Sequence, residues 1–175
     1  KEFGESPKPL HLGLVAGGTG LSPLLQILRL AVESPWEIGG KGGINATLMY
    51  SVQTKQDICM KEELEALVGD HIVSRRAYEE IKVSIQVVCC LSRAEKILET
   101  TSIEAVDGDS GPAQRALTIE YGRVSTALFT KYMPGCSMEQ LTHFVLCGPQ
   151  SMMDTSKLLL AEAGHASWRV VQLEA

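Results

Sequence analysis

Two glycine-bearing turns hold the residue types best suited to chemistry in this sequence. In the first, Ala16-Gly17-Gly18-Thr19-Gly20 follows the apolar run Leu10-His11-Leu12-Gly13-Leu14-Val15 and precedes Ser22-Pro23, with Leu24, Leu25, Ile27, Leu28, Leu30 and Ala31 at helical spacing. Glycines there let the backbone come close to a ligand, and the helix start aims free N–H groups and a positive dipole end at the same space. A diphosphate suits that chemistry. The second turn, Cys147-Gly148-Pro149, again follows a strand-like run and leads into Met152, Met153, Leu158, Leu159 and Leu160. No Gly-Lys-Ser/Thr follows either turn, and Gly18-x-Gly20 is followed by Pro23 where the dinucleotide fingerprint needs glycine. Kinase-type phosphate loops and the usual dehydrogenase fingerprint are thereby excluded. Tight strand-to-helix turns need glycine for conformation alone, so a purely structural reading stands beside the ligand-binding one.

The other reactive side chains form no recognisable constellation. Cysteines 59, 89, 90, 136 and 147 contain no Cys-x-x-Cys pair, and their odd number prevents a complete internal disulfide set, which fits a reduced, intracellular setting. Cys89 and Cys90 are adjacent in an apolar run, so on a strand they point to opposite faces as small core residues. Histidines 11, 71, 143 and 165 lack metal-ligand spacing. A nucleophilic pairing of Cys147 with His143 or His165 can be written down, but nothing in the sequence brings them together, and buried strand-end cysteines are ordinarily packing residues.

The elements that must position the turns alternate along the chain. Residues 10–16, 46–52, 83–91, 142–147 and 168–173 read as five buried strands. Ser22 is expected to cap the first helix, with Pro23 at its first position. Asp57 is expected to cap a second helix that buries Ile58, Met60, Leu64 and Leu67 and ends near Gly69. Residues 124–132 form a third helix candidate. Gly39, Gly40, Gly42 and Gly43 make a flexible connection, and 97–118 reads as a long surface loop or insertion. Strands alternating with helices imply right-handed crossovers and an α/β fold, a doubly wound five-stranded parallel sheet. Ligands on such sheets lie at the carboxyl ends of the strands, where both glycine turns fall.

Composition agrees with one sizeable domain of 175 residues, 45% hydrophobic and 21% charged. A net charge of −5 with no basic cluster argues against nucleic acid as a partner. No apolar run approaches the roughly 20 residues of a membrane span. Residues 1–9 read as a linker from a preceding domain into a domain spanning 10–175. An anchor further upstream would not be visible here.

The residues around both turns resemble a known family. Ala16-Gly17-Gly18-Thr19-Gly20-Leu21-Ser22-Pro23 resembles the Ala-Gly-Gly-Thr-Gly-Ile-Thr/Ser-Pro motif of the ferredoxin reductase-like flavoenzymes, and Cys147-Gly148-Pro149-Gln150-Ser151-Met152 resembles their Cys-Gly-Pro-x-x-Met motif. Tyr50-Ser51-Val52-Gln53-Thr54-Lys55-Gln56-Asp57-Ile58 is similar to the corresponding cytochrome-b5 reductase stretch. The resemblance implies the nucleotide-binding half of a two-domain reductase. A preceding FAD-binding domain would accompany it in cis, hydride would pass from NADH or NADPH to FAD, and single electrons would leave to a haem protein such as cytochrome b5. It implies that Gly17, Gly18, Thr19 and Gly20 line the diphosphate and that Cys147, Gly148 and Pro149 lie beside the nicotinamide. Gln53 and Met152 join the binding set, and Cys147 and Thr19 stand nearest the hydride path. Ser92 and Arg93 replace the acidic residue of NADH-preferring relatives and resemble the pair that holds the 2′-phosphate of NADPH, a role that suits the forked donors of arginine. The ending Leu173-Glu174-Ala175 lacks the terminal aromatic of many relatives. A non-redox nucleotide-binding module on the same fold is the alternative.

Overall fold

Strand β1 (Leu10–Gly17) is buried along nearly its whole length, as a central strand covered on both faces must be. It runs parallel to β2 (Ile44–Val52) on one side and β6 (Leu141–Cys147) on the other, pairing Gly17 with Ser51 and Ala16 with Cys147. The computed structural model describes residues 7–38, 42–76, 79–93, 116–135 and 141–174. Outward from this centre, β4 (Glu79–Leu91) lies beside β2 and β7 (Val170–Leu173) beside β6, both parallel. Two more strands meet β4. β3 (Gly69–Arg76) pairs antiparallel with its first half, and β5 (Thr118–Tyr121) pairs parallel with Val88 to Leu91.

Helices cover both faces, so the sheet is doubly wound. Helices α1 (Leu21–Glu33) and α2 (Lys61–Leu67) bury Leu21, Leu24, Leu25, Leu28 and Leu64 on one face. Helices α3 (Thr126–Tyr132) and α4 (Gln150–Glu162) bury Phe129, Met153 and Leu160 on the other. Each fully buried leucine contributes roughly 1.5–3 kcal/mol. Cys89 joins the first core and Cys90 the second, both with no exposed surface, as their adjacency on a strand requires. The order β3-β4-β2-β1-β6-β7 reverses its direction of growth between β1 and β6. That is the switch point where ligands bind such sheets.

Several local expectations need correction. Among the described residues the sheet has seven strands rather than five. The two unread strands are edge elements: β3 alternates half-buried and exposed residues, so its polar face masks the pattern, and β5 is only four residues long. Gly69 lies two residues past the end of α2, near the helix end as expected, and also opens β3 with φ 111°. Ser22 does not cap α1, because Gly18–Gly20 already wind as a 3₁₀ turn that runs straight into the helix, making Gly20 the cap. Pro23 is therefore the third helical residue rather than the first, still within the turn whose N–H groups lack intrahelical partners. Asp57 caps a separate 3₁₀ turn, Lys55–Asp57, by accepting from the amide and hydroxyl of Thr54 at 2.8 Å each. Helix α2 starts four residues later behind Met60, which is exposed rather than buried and holds a left-handed φ of 54°. The last strand begins at Val170, after a 3₁₀ turn Ser167–Arg169. Residues 1–6 of the expected linker, Gly39 and Gly40, 97–115 of the expected insertion, and Cys136 lie outside the described residues.

Candidate functional site

The two glycine turns meet at the switch point. A Cβ on Gly20 would stand 2.1 Å from the carbonyl oxygen of Cys147, and one on Gly148 would stand 2.8 Å from the carbonyl oxygen of Gly17. One on Gly17 would meet the Met152 Sδ at 2.6 Å. Gly20 and Gly148 are thus required by backbone packing between the ends of β1 and β6, and Gly17 by the side chains of Met152 and Pro149 at the start of α4. Gly18 differs: its φ of 54° favours glycine, yet nothing lies within 4 Å of its Cβ position. The backbone of Gly18 and the neighbouring Thr19 form the open rim of the joint, both exposed. An approaching ligand would meet peptide N–H groups there without an intervening side chain.

Cys147 is fully buried, and burial pushes its thiol pKa up. The thiol is therefore a packing group and not an activated nucleophile. Phe144 and Cys147 point to opposite faces of β6, and the His165 ring packs edge-on against Phe144 at 4.5 Å, on the face opposite to Cys147. The Cys147–His165 pairing is not formed.

Strand alternation turns Ser51, two residues beyond Met49, and Ser92, two beyond Cys90, toward the α4 side of the sheet. With Ser151, Met152 and Thr155 of α4 and Arg123 and Val124 before α3, they line a cleft of about 430 Å³. Pro149 caps α4, and its carbonyl accepts from the amides of Met152 and Met153 at 2.9 and 3.1 Å. The amides of Gln150 and Ser151, ahead of them, have no place in the helical ladder and face the cleft end of the helix. The Thr155 hydroxyl is engaged, donating to the Ser151 carbonyl at 2.8 Å.

Main-chain bonds hold the end of β4 against the end of β2: the Ser92 amide donates to Val52 at 2.9 Å and the Arg93 amide to Gln53 at 3.0 Å. The side chains of Gln53 and Arg93 are exposed and do not line the cleft, whereas Ser92 does. Arg123 is the charged residue among the described lining and escaped the sequence reading. Its signal is weak, since Gly122-Arg123 reads as an ordinary turn until β5 pairs with β4 and carries it beside Ser92. Gly17, Gly20, Cys147, Gly148, Pro149 and Met152 are thus brought together, Gly18 and Thr19 form their open rim, and Ser92 shares a cleft with Met152.

The sequence profile of the oxidoreductase NAD-binding domain family matches residues 14–84, which hold the first glycine turn, all of β2 and β3, and parts of β1 and β4. That stretch of the chain is similar to the NAD-binding domains of oxidoreductases. This domain is 26% identical over 154 residues to NADH-cytochrome b5 reductase 1 of Eremothecium gossypii, a match spanning 88% of the chain and 42% of that relative. It is 40% identical over 60 residues to NADH-cytochrome b5 reductase 1 of Aspergillus oryzae, covering 34% of the chain and 20% of the relative. The domain therefore spans less than half the length of these reductases. Its fold matches the cytochrome b5 reductase domain of Ulva prolifera nitrate reductase with a TM-score of 0.59 at 21% identity, over 93% of this chain and 49% of that one. The CS-b5R domains of human Ncb5or, in an NAD+ form, give 0.58 at 18% identity, over 94% and 36%. Among the described residues, no helix is long and apolar enough to cross a membrane.

Proposed function

We propose that this domain is the pyridine-nucleotide half of a flavoprotein reductase of the cytochrome-b5 reductase type, taking hydride from NADH or NADPH. The observation that carries the reading is the joint itself: two turns locked together by glycines, with an open rim at Gly18 and a cleft beside it that offers hydroxyls, helix amides and one guanidinium. An elongated phosphate ester fits such a surface, since peptide N–H groups and the end of α4 favour anions and Arg123 supplies a forked cation. In this reading Gly17, Gly18, Thr19 and Gly20 border the diphosphate, while Cys147, Gly148, Pro149 and Met152 wall the nicotinamide end. Gln53, Ser92 and Arg93 flank the adenosine end, with Arg123 added.

The chain's own residues position and exclude. None needs to act as acid or base, because hydride transfer depends on holding the donor carbon in contact with its acceptor. FAD, when bound, supplies the hydride-accepting ring and releases electrons singly. A flavin-binding domain in cis, encoded before Lys1, would hold it, and a haem protein such as cytochrome b5 would accept the electrons. Such a partner would put the enzyme on the cytosol-facing side.

Calorimetric titration of the chain with NADH, NADPH and ADP-ribose tests the reading. Saturable binding of all three is expected, and a folded sample that binds none of them overturns it. Binding of ADP-ribose without electron transfer in the full-length protein would favour the non-redox module.

A further inference from the structure

The segment that carries Arg123 to the cleft is tied down on three sides. Gly122 opens the corner between β5 and α3 with φ 117°, and its amide donates at 2.9 Å to the carbonyl of Leu91, the residue before Ser92 of the cleft. Ser125 ends the corner by capping α3, and its carbonyl accepts from the Phe129 amide at 2.9 Å. Side chains make the third tie. Glu120 stands opposite Cys90 in register, and Cys90 packs in the core beneath α3 and α4, so the Glu120 carboxylate lies on the α3 side of the sheet. There its Oε1 accepts from the Lys131 ammonium at 2.7 Å and from the Tyr132 hydroxyl. The Lys131 Nζ also sits 4.7 Å from the centre of the Tyr132 ring.

An exposed ion pair alone contributes little to stability. This one differs. The Glu120 side chain is only 23% exposed, a neutral hydroxyl shares its oxygen, and the bonds from Lys131 and then Tyr132 hold the carboxyl below its usual range. Helix α3 has seven residues, too few to hold a helix by itself, so ties of this kind fix where it begins and with it residues 122–125. Glu120, Lys131 and Tyr132 are absent from the cleft lining, while Arg123 and Val124 belong to it. A guanidinium on a long flexible stem loses rotamer freedom when it holds a ligand, and a backbone already fixed beneath it reduces that loss.

We propose that Glu120, Lys131 and Tyr132 are positioning residues for the nucleotide cleft, clamping the β5–α3 corner so that Arg123 is held toward a phosphate of the bound nucleotide. The role rests on the nucleotide reading of the cleft and acts only through Arg123. Charge and geometry here have opposite signs. Removing the Glu120 carboxylate takes a negative charge away from an anion site, which by electrostatics strengthens binding, whereas loosening the corner weakens it.

Titration of the chain and its variants with ADP-ribose tests this, together with backbone nitrogen relaxation of residues 122–124 in the nucleotide-free chain. Glu120→Met and Tyr132→Phe are each expected to weaken ADP-ribose about threefold and to lower the heteronuclear NOE at the corner. In an Arg123→Ala background each is expected to change affinity by less than about twofold, because the group they position is gone. Tyr132→Phe keeps every charge and the ring, so its result decides the matter even where Glu120→Met fails to fold. Tighter binding by Glu120→Met, or equal losses with and without Arg123, overturns the positioning role. A folded parent that binds no ADP-ribose overturns the nucleotide reading and the role with it, whereas a parent that binds while Tyr132→Phe binds equally well overturns the role alone.

Discussion

A Cβ placed on Gly20 would stand 2.1 Å from the carbonyl oxygen of Cys147, so two residues 127 positions apart are held by the absence of a side chain. No rotamer relieves that contact, because the obstacle is backbone. Gly20→Ala is therefore expected to force the ends of β1 and β6 apart, destabilising the domain by about 1–3 kcal/mol, the usual cost of overpacking. Gly18→Ala has free space and pays only for its left-handed φ, roughly 1–2 kcal/mol. Denaturant midpoints of the two variants should rank in that order. ADP-ribose affinity should fall in both. Parent-like stability in Gly20→Ala would contradict the packing account.

Arg123 should contribute to nucleotide affinity through phosphate. Arg123→Ala is expected to weaken ADP-ribose by about tenfold, consistent with the roughly 1.5–3 kcal/mol of a hydrogen bond to a charged group discounted for exposure. Arg93→Ala, whose side chain lies outside the cleft lining, should have the smaller effect on ADP-ribose. If Arg93 holds the 2′-phosphate, its replacement should weaken NADPH more than NADH. Titration of both variants with the three nucleotides separates these contributions.

The described cysteines should differ in reactivity. Burial pushes the thiol of Cys89 up to about 11 and that of Cys90 up to about 12, and raises Cys147 as well, whereas Cys59 is exposed. Iodoacetamide at pH 8 should therefore label Cys59 first, with Cys89, Cys90 and Cys147 protected until unfolding. Peptide mapping over time reads the order directly. Rapid labelling of Cys147 in the folded chain would reopen a nucleophilic role.

Stability should decline with acid from the histidine range downward. Burial lowers the pKa of His11 and His165 below the ordinary value of about 6.5. The unfolded chain then binds more protons than the folded one, so these groups' contribution is complete above pH 6.5 and is lost as pH falls through their lowered values. Denaturant midpoints measured from pH 8 to 5 should drop across that window. A flat profile would show that the rings are hydrated in the folded state.

The sequence by itself determined the alternation of strands and helices, the two glycine turns and their place after apolar strands. Each depends on local periodicity and on conformations that few residues adopt. Even the opposite orientation of Cys89 and Cys90 follows from the two-residue repeat of a strand. Tertiary structure decided what each glycine is for: Gly20 and Gly148 are fixed by backbone contacts across β1 and β6 and Gly17 by the side chains of Met152 and Pro149, while Gly18 has open space at its Cβ position. It also decided that Gly20 and not Ser22 starts α1, because the turn continues into the helix without a break. Arg123 reaches the cleft only because β5, four residues of half-buried edge strand, pairs with the end of β4. A contact of that kind joins segments distant along the chain, and its register is set by packing over the whole sheet rather than by the residues around Arg123.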